Sequence, residues 1–171
     1  MGRAGQIDVL VNNAGVEHLG MAEEKSIDAA REVFETNFFG VVRMNNAVQP
    51  QMRPRRAGRI ITVGSLGSWV GEPGEAFYSA SKSALAVYTE SLRHEVWPLG
   101  IHVSLVEPGA FTTDIVESAS TSGGTITDYD AVRTATQRTM RNAIRTGATP
   151  AKWRTSSSRS RARVRRIVVT A

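Results

Sequence analysis

The chain of 171 residues has no cysteine. That excludes disulfide staples, thiolate nucleophiles and cysteine-based metal sites, and it points to the cytoplasm. Histidine is scarce too: His18, His94 and His102 fall on different stretches. No two of them stand at ligand spacing and no carboxylate cluster accompanies them, so they read as structural and no metal site is expected. Nor is there an apolar run of about eighteen residues to span a bilayer, or a cleavable signal at Met1. The glycines Gly64, Gly67, Gly71 and Gly74 are grouped but do not spell Gly-x-Gly-x-x-Gly, so they read as loop glycines. Acid is missing from one end. Residues 131–171 carry 11 Lys/Arg and no Asp or Glu, while residues 1–130 carry 10 Lys/Arg and all 16 Asp/Glu. The net charge of +5 therefore divides into a mildly acidic body and a strongly basic tail. Such a tail could meet nucleic acid or an anionic membrane surface. Against nucleic acid, Trp153 alone interrupts its Arg/Ser composition and no reader motif accompanies it.

What the chain does have is enough material for one core. Its hydrophobic content of 41% is that of an ordinary globular domain. The runs Ile7–Val11, Ile60–Val63 and Ile101–Val106 are short, β-branched and without clean alternation, which suits strands buried on both faces of a parallel sheet. Between the first two, a helix is predicted over about residues 26–52. Ser26 is its N-cap, and Ile27, Ala30, Val33, Phe34, Val41 and Val42 favour one side. A second helix is predicted over about 76–97, ended by Pro98 and Gly100. Strand and helix alternating with connections this long make a right-handed parallel α/β sheet. Residues 114–130 read as a loop with a short helix, and 131–146 as a further helix. One domain over 1–150 and a basic, irregular tail over 151–171 follow, with Ile167-Val168-Val169 as a candidate last strand.

Tyr78 and Lys82, four residues apart in the second helix, stack on one face. A neighbouring ammonium favours a phenolate and brings tyrosine towards acid/base work. Taken alone such a pair is weak evidence, since most instances are surface decoration. Ser65, thirteen residues upstream at the end of an apolar run, adds a polar group on the same side. It could also merely cap its turn, and Ser68 is its rival. Asn37 sits mid-helix, where asparagine is locally unfavourable, beside the bland reading of a satisfied surface residue. Asn12-Asn13-Ala14-Gly15 follows the first strand and could be an ordinary turn.

Together, Asn12-Asn13-Ala14-Gly15, Asn37, Ser65, Tyr78 with Lys82 and the later Pro108-Gly109 resemble the short-chain dehydrogenase/reductase family in order and spacing over residues 5 to 118. The resemblance implies a Rossmann-like doubly wound parallel sheet and NAD or NADP as cofactor. It implies oxidation of a secondary alcohol or reduction of a ketone. Tyr78 would be the proton donor and acceptor. Lys82 would lower the pKa of Tyr78 and bind the nicotinamide ribose, Ser65 would hold the substrate oxygen, and Asn37 would hold a water on the proton path. Asn12, Ala14 and Gly15 would border the adenosine side, with the asparagines tying strand ends together. Pro108 and Gly109 would lie against the nicotinamide, and Thr113, in preference to Thr112, would contact its carboxamide. The stretches Trp97–Ile101 and Val106–Phe111 look like bacterial or retinol/steroid-type members, which hints at an apolar substrate. The two long helices commonly form oligomer contacts in this family, so a homo-oligomer is expected.

The family's opening glycine turn is expected roughly seventy to ninety residues before Asn12, so the fold is expected to be incomplete, without its first βαβαβα portion. Without that first strand, Ile7–Val11 would be left as an open apolar edge. The Arg/Ser-rich stretch 154–166 also departs from the family. The alternative is thus a remnant or interaction module that keeps the site residues but cannot bind the dinucleotide.

Overall fold

The structure, a computed structural model, describes residues 5–109, 124–146 and 167–170. Four strands, β1 (Val9–Asn12), β2 (Gly58–Val63), β3 (Ile101–Val106) and β4 (Ile167–Thr170), form one parallel sheet in the order β3-β2-β1-β4. The helices α1 (Ile27–Phe34), α2 (Gly40–Arg55), α3 (Ala76–Val96) and α4 (Asp130–Thr146) complete the α/β arrangement. The core lies where α2 and α3 meet the sheet: Leu10, Ile60, Ile101 and Val103 from the strands pack with Val48, Met52, Leu92 and Val96. Burying such side chains contributes about 1.5–3 kcal/mol each relative to exposure.

The helix predicted over 26–52 is two helices in line. Ser26 does cap it, its Oγ accepting from the Ala29 N–H at 3.1 Å. A π-helical turn, Glu35–Phe39, then joins α1 to α2 and carries Asn37. The second half continues past Met52 to Arg55 despite Pro50 and Pro54. Both prolines lie on the exposed side, where water can satisfy the carbonyls that they leave without an N–H partner. Of the predicted inward stripe, Val33 and Val41 are buried but Ile27 is 65% exposed. As the first residue after the cap it lies beyond the surface that α1 turns inwards.

The second predicted helix is α3, one residue shorter, followed by a 3-10 turn Trp97–Leu99. Gly100 then takes φ +71°, and a Cβ there would stand 2.2 Å from the Arg56 carbonyl oxygen. Only glycine allows the chain to turn into β3 so close to the end of α2.

The open edge expected beside β1 is not found. β4 pairs with β1 in parallel register, Val9 opposite Ile167 and Asn12 opposite Thr170. The run Ile167-Val168-Val169 supplies the β-branched residues that a strand favours. The tail is therefore not irregular throughout: residues 151–166 lie outside the described part, but 167–170 are sheet. The loop over 114–130 is described from Gly124 on, where a 3-10 turn, Thr127–Tyr129, leads into α4. Among the described residues, no helix is long and apolar enough to cross a membrane.

Candidate active site

Parallel strands with helices between them bring the loops after β1, β2 and β3 to one end of the sheet, the usual place for a site in such folds. Here the loop after β1 carries Asn13–Gly15, the loop after β2 carries Ser65, and α3 delivers Tyr78 and Lys82.

Asn37 is fully buried, which removes the surface reading. Its Oδ1 accepts from the Val16 N–H at 2.8 Å, and its Nδ2 donates to the Val16 carbonyl and to Ser81 Oγ, each at 3.0 Å. The side chain thus clamps the loop after β1 against α3. Ser81 passes the contact on, donating to the Tyr78 carbonyl at 2.7 Å. π-Helical turns often mark functional positions, and this one aims the Asn37 amide across to the neighbouring helix. Both amide hydrogens are engaged by protein, so the side-chain amide N–H groups are not what would hold the water expected of Asn37.

Ser65 both caps and faces the site. Its Oγ accepts from the Gly67 N–H at 3.1 Å, and its hydroxyl lies near enough to the Tyr78 phenol to lower the phenol's pKa. A Cβ on Gly67 would lie 3.4 Å from Ser65 Oγ, 3.4 Å from Ser79 Oγ and 3.6 Å from Tyr78 Cε1, so these three side chains converge there. The rival Ser68 is 7% exposed, with its Oγ buried and without a partner.

Lys82 is 3% exposed. Its Nζ donates to the Val63 carbonyl at 3.1 Å and stands 5.7 Å from the centre of the Tyr78 ring. Burial lowers its pKa to about 8. The expected lowering of Tyr78 by Lys82 is not the balance found. Burial raises the phenol first, the neighbouring Ser65 hydroxyl lowers it, and Glu17 and Glu75 raise it further. At neutral pH, Tyr78 is therefore a neutral phenol.

The residues fit a nicotinamide nucleotide in two respects. An ammonium has three donors, and Lys82 spends one on Val63, leaving others for ribose hydroxyls. A Cβ on Gly15 would lie 3.5 Å from both Lys82 Nζ and Asn37 Oδ1, so the missing side chain leaves a cradle over these two groups. Gly109 lies beside Leu66, and the Leu66 N–H donates to the Pro108 carbonyl at 3.1 Å, which brings the Pro108-Gly109 backbone to the same rim. Asn12 is placed differently from the expectation. It is 2% exposed and its Nδ2 donates to Asn45 Oδ1 at 2.9 Å, tying β1 to α2 and not strand end to strand end. The Asn13 and Ala14 N–H groups instead face Thr170 Oγ1, at 3.0 and 3.4 Å. Thr112 and Thr113 lie outside the described residues.

Sequence reasoning missed Ser81, Asn45 and Glu17. Ser81 was legible in principle, since positions 78, 81 and 82 share one helical face. Asn45, two turns beyond Asn37, had a weaker signal of the same kind. Glu17 had none. It is 5% exposed, with one carboxyl oxygen lacking a partner. Burial first, then Glu75 and Glu72, raise its pKa to about 8, and burial and Glu72 raise that of Glu75 to about 7.

These carboxyls set a pH dependence. A group whose folded pKa is raised favours the fold below its unfolded value, and this contribution is lost as pH rises through the folded value. The urea midpoint is therefore expected to fall as pH rises from about 4.5 towards about 8. Lys82 acts outside that window, since its lowered value relieves a cost only between about 8 and 10.5. Glu17→Gln should flatten the fall, and an equally steep profile in that variant would remove Glu17 as its source.

Comparison with known proteins agrees with this geometry. A family model described as short chain dehydrogenase matches residues 1–123. A 3-ketodihydrosphingosine reductase of Bacteroides thetaiotaomicron is 45% identical over 118 residues, covering 69% of this chain and 44% of the reductase. The crystal structure of a short-chain dehydrogenase from Streptomyces avermitilis superposes with a TM-score of 0.78 at 32% identity, over 99% of this chain and 62% of that one. A gluconate 5-dehydrogenase from Burkholderia cenocepacia, solved with NADP and tartrate, gives 0.65 at 32% identity, over 66% of this chain and 44% of that one. The chain thus spans less than half the length of the reductase that it matches. Motif, parallel sheet and site geometry agree with the sequence match: the chain belongs to the short-chain dehydrogenase family of oxidoreductases.

Proposed function

We propose that this chain carries the reacting centre of an NAD(P)-dependent oxidoreductase acting on a secondary alcohol or the matching ketone, with Tyr78 as acid/base. The observation that carries this reading is the convergence of Ser65 and Tyr78 beside a buried Lys82 that has donors to spare. The chemistry that a nicotinamide nucleotide would supply, when bound, is the hydride given to the carbonyl carbon or taken from the carbinol carbon. Ser65 donates to the substrate oxygen and orients it. In the reductive direction the carbonyl π bond opens onto oxygen, which takes the Tyr78 proton, and the phenolate is reprotonated from solvent. Because Tyr78 is held as a neutral phenol, the arrangement favours reduction at neutral pH. Lys82 would hold the ribose hydroxyls and would stabilise the transient phenolate. Asn37 acts through its clamp on the loop after β1, as a positioning residue. The exposed Leu66, Trp69 and Val70 beside Ser65 support an apolar substrate. The exposed Ile27, Phe39 and Val87 support association of copies through the long helices. The cytoplasm remains the expected compartment.

The test is a fluorescence titration of the chain with NADH and NADPH. Saturable binding is expected, weakened about tenfold or more in Lys82→Ala by the loss of charge-assisted hydrogen bonds. A folded chain that binds neither nucleotide would instead leave the site as a remnant.

A further inference from the structure

The end of the sheet opposite the reacting centre is rich in arginine and poor in acid. Between Glu35 and Glu72 the sequence has no Asp or Glu, yet Arg53, Arg55, Arg56 and Arg59 stand there in one short stretch. Arg55 is committed inwards, to Asp8 at 3.8 Å and to the Ile7 carbonyl at 2.7 Å. Arg53, Arg56 and Arg59 are exposed, and among the described residues none of them is in an ion pair. The fold holds them together. α2 ends at Arg56, a left-handed residue whose N–H donates to the Arg53 carbonyl at 3.1 Å and whose guanidinium donates to the Pro98 carbonyl. Arg59, second in β2, stands opposite His102, second in β3, and both are exposed on the face turned away from α2 and α3. Trp97 completes the cluster. Its ring meets His102 edge-on with centroids 5.0 Å apart, yet it stays 62% exposed. Acids do not balance this surface: Glu90 is paired with Arg93 at 3.7 Å, and Glu95, before Trp97 on α3, is one charge against three.

We propose that this surface docks the protein on an anionic lipid bilayer, with Arg53, Arg56 and Arg59 against lipid phosphates and Trp97 at the level of the headgroups. A guanidinium matches a phosphate bidentately and is weakly hydrated, so it suits that contact better than an ammonium does. An indole has an apolar body and a polar N–H, and it favours the boundary between water and hydrocarbon. Binding to a membrane surface grows with buried apolar area and with attraction to anionic lipid, and this cluster offers both. Nucleic acid fits it less well. The arginines stand on a helix end and a strand start, so neither a helix nor a ribbon is presented to a groove. A single indole also gives no run of stacking platforms. Because the cluster lies at the far end of the sheet from Ser65 and Tyr78, docking leaves the reacting centre facing away from the bilayer, and the two are independent.

The experiment is flotation of the full chain with vesicles of phosphatidylcholine alone, or of phosphatidylcholine mixed with phosphatidylserine. Binding to the mixed vesicles only, weakened by added salt, is expected. Arg53→Gln combined with Arg59→Gln should weaken it about thirtyfold, at about 1 kcal/mol for each basic residue. That double variant keeps the basic tail, so an unchanged affinity assigns the binding to the tail and overturns the proposal. Quenching of tryptophan fluorescence by lipids brominated in the acyl chain is expected for the wild-type chain and should be lost in Trp97→Phe. Quenching that persists in Trp97→Phe puts another face on the bilayer and overturns the proposal, as does equal binding to both kinds of vesicle. Failure to float with the mixed vesicles overturns it too; if the chain then binds a DNA duplex and the double variant does not, the surface is a nucleic-acid site. NADPH affinity and the urea midpoint should stay at wild-type values in these variants, which separates a docking defect from a folding one.

Discussion

Tyr78→Phe is expected to lower turnover of a secondary alcohol or ketone by about 10²–10⁴-fold, the usual contribution of a positioned acid/base. The substitution removes only the phenol oxygen. The ring keeps its place beside Gly67 and the Lys82 ammonium, so NADPH affinity and the urea midpoint should change little. Losing the polar contact with the Ser65 hydroxyl costs at most about 1 kcal/mol, and the buried phenol oxygen no longer has to be desolvated, which offsets part of it. The signature is a fall in kcat with KM nearly unchanged, as for an interaction made only in the transition state. Since the unliganded site holds the phenol neutral, the wild-type chain should reduce ketones at neutral pH and need higher pH to oxidise alcohols. A variant retaining more than about a tenth of wild-type kcat would show that another group moves the proton. Ser79 would then be the next residue to change: its Oγ converges on the same point and has no partner.

Much of this arrangement was legible before any coordinates. The strands around Leu10, Ile60 and Val103 announce themselves as short β-branched runs, and each is buried in the core. The Tyr78–Lys82 spacing announces a helical face, and α3 places both residues where that spacing implies. The failures share a physical cause: each depends on groups distant in sequence. The π-helical turn at Asn37 exists because one amide satisfies Val16 and Ser81, which belong to two other elements, and local propensity carries no trace of that. The extension of α2 through Pro50 and Pro54 follows from which side faces water, a property of the packed sheet and not of the prolines. Pairing of β4 with β1 joins residues some 158 positions apart: the run at 167–169 is visible, but its partner is not. Electrostatics is harder still. Glu17 is raised by burial, then by Glu75 and Glu72, and Glu75 by burial and Glu72, and the bridge through Gly20 and Gly74 that links their loops leaves no periodic signal.

Asn37→Ala is expected to be the costliest single change at the site for stability, at about 3–5 kcal/mol. One fully buried amide satisfies the Val16 N–H, the Val16 carbonyl and Ser81 Oγ, and its removal leaves all three short of a partner where water has little room. Asn37→Asp keeps the shape but should be no better. A carboxylate can still accept from the Val16 N–H, but it cannot donate to the Val16 carbonyl, and it would be an unpaired buried charge. Urea midpoints of the two variants separate lost packing from lost hydrogen bonding: a well-tolerated Asp would mean that only shape matters. A cycle with Ser81→Ala then tests whether the clamp reaches Tyr78. Ser81 donates to the Tyr78 carbonyl, so Asn37 and Ser81 should couple by about 0.5–3 kcal/mol, as members of one network do. Additive costs would instead make the loop after β1 and the helix bearing Tyr78 and Lys82 independent of each other. Tyr78 would then owe its position to the packing of α3 alone.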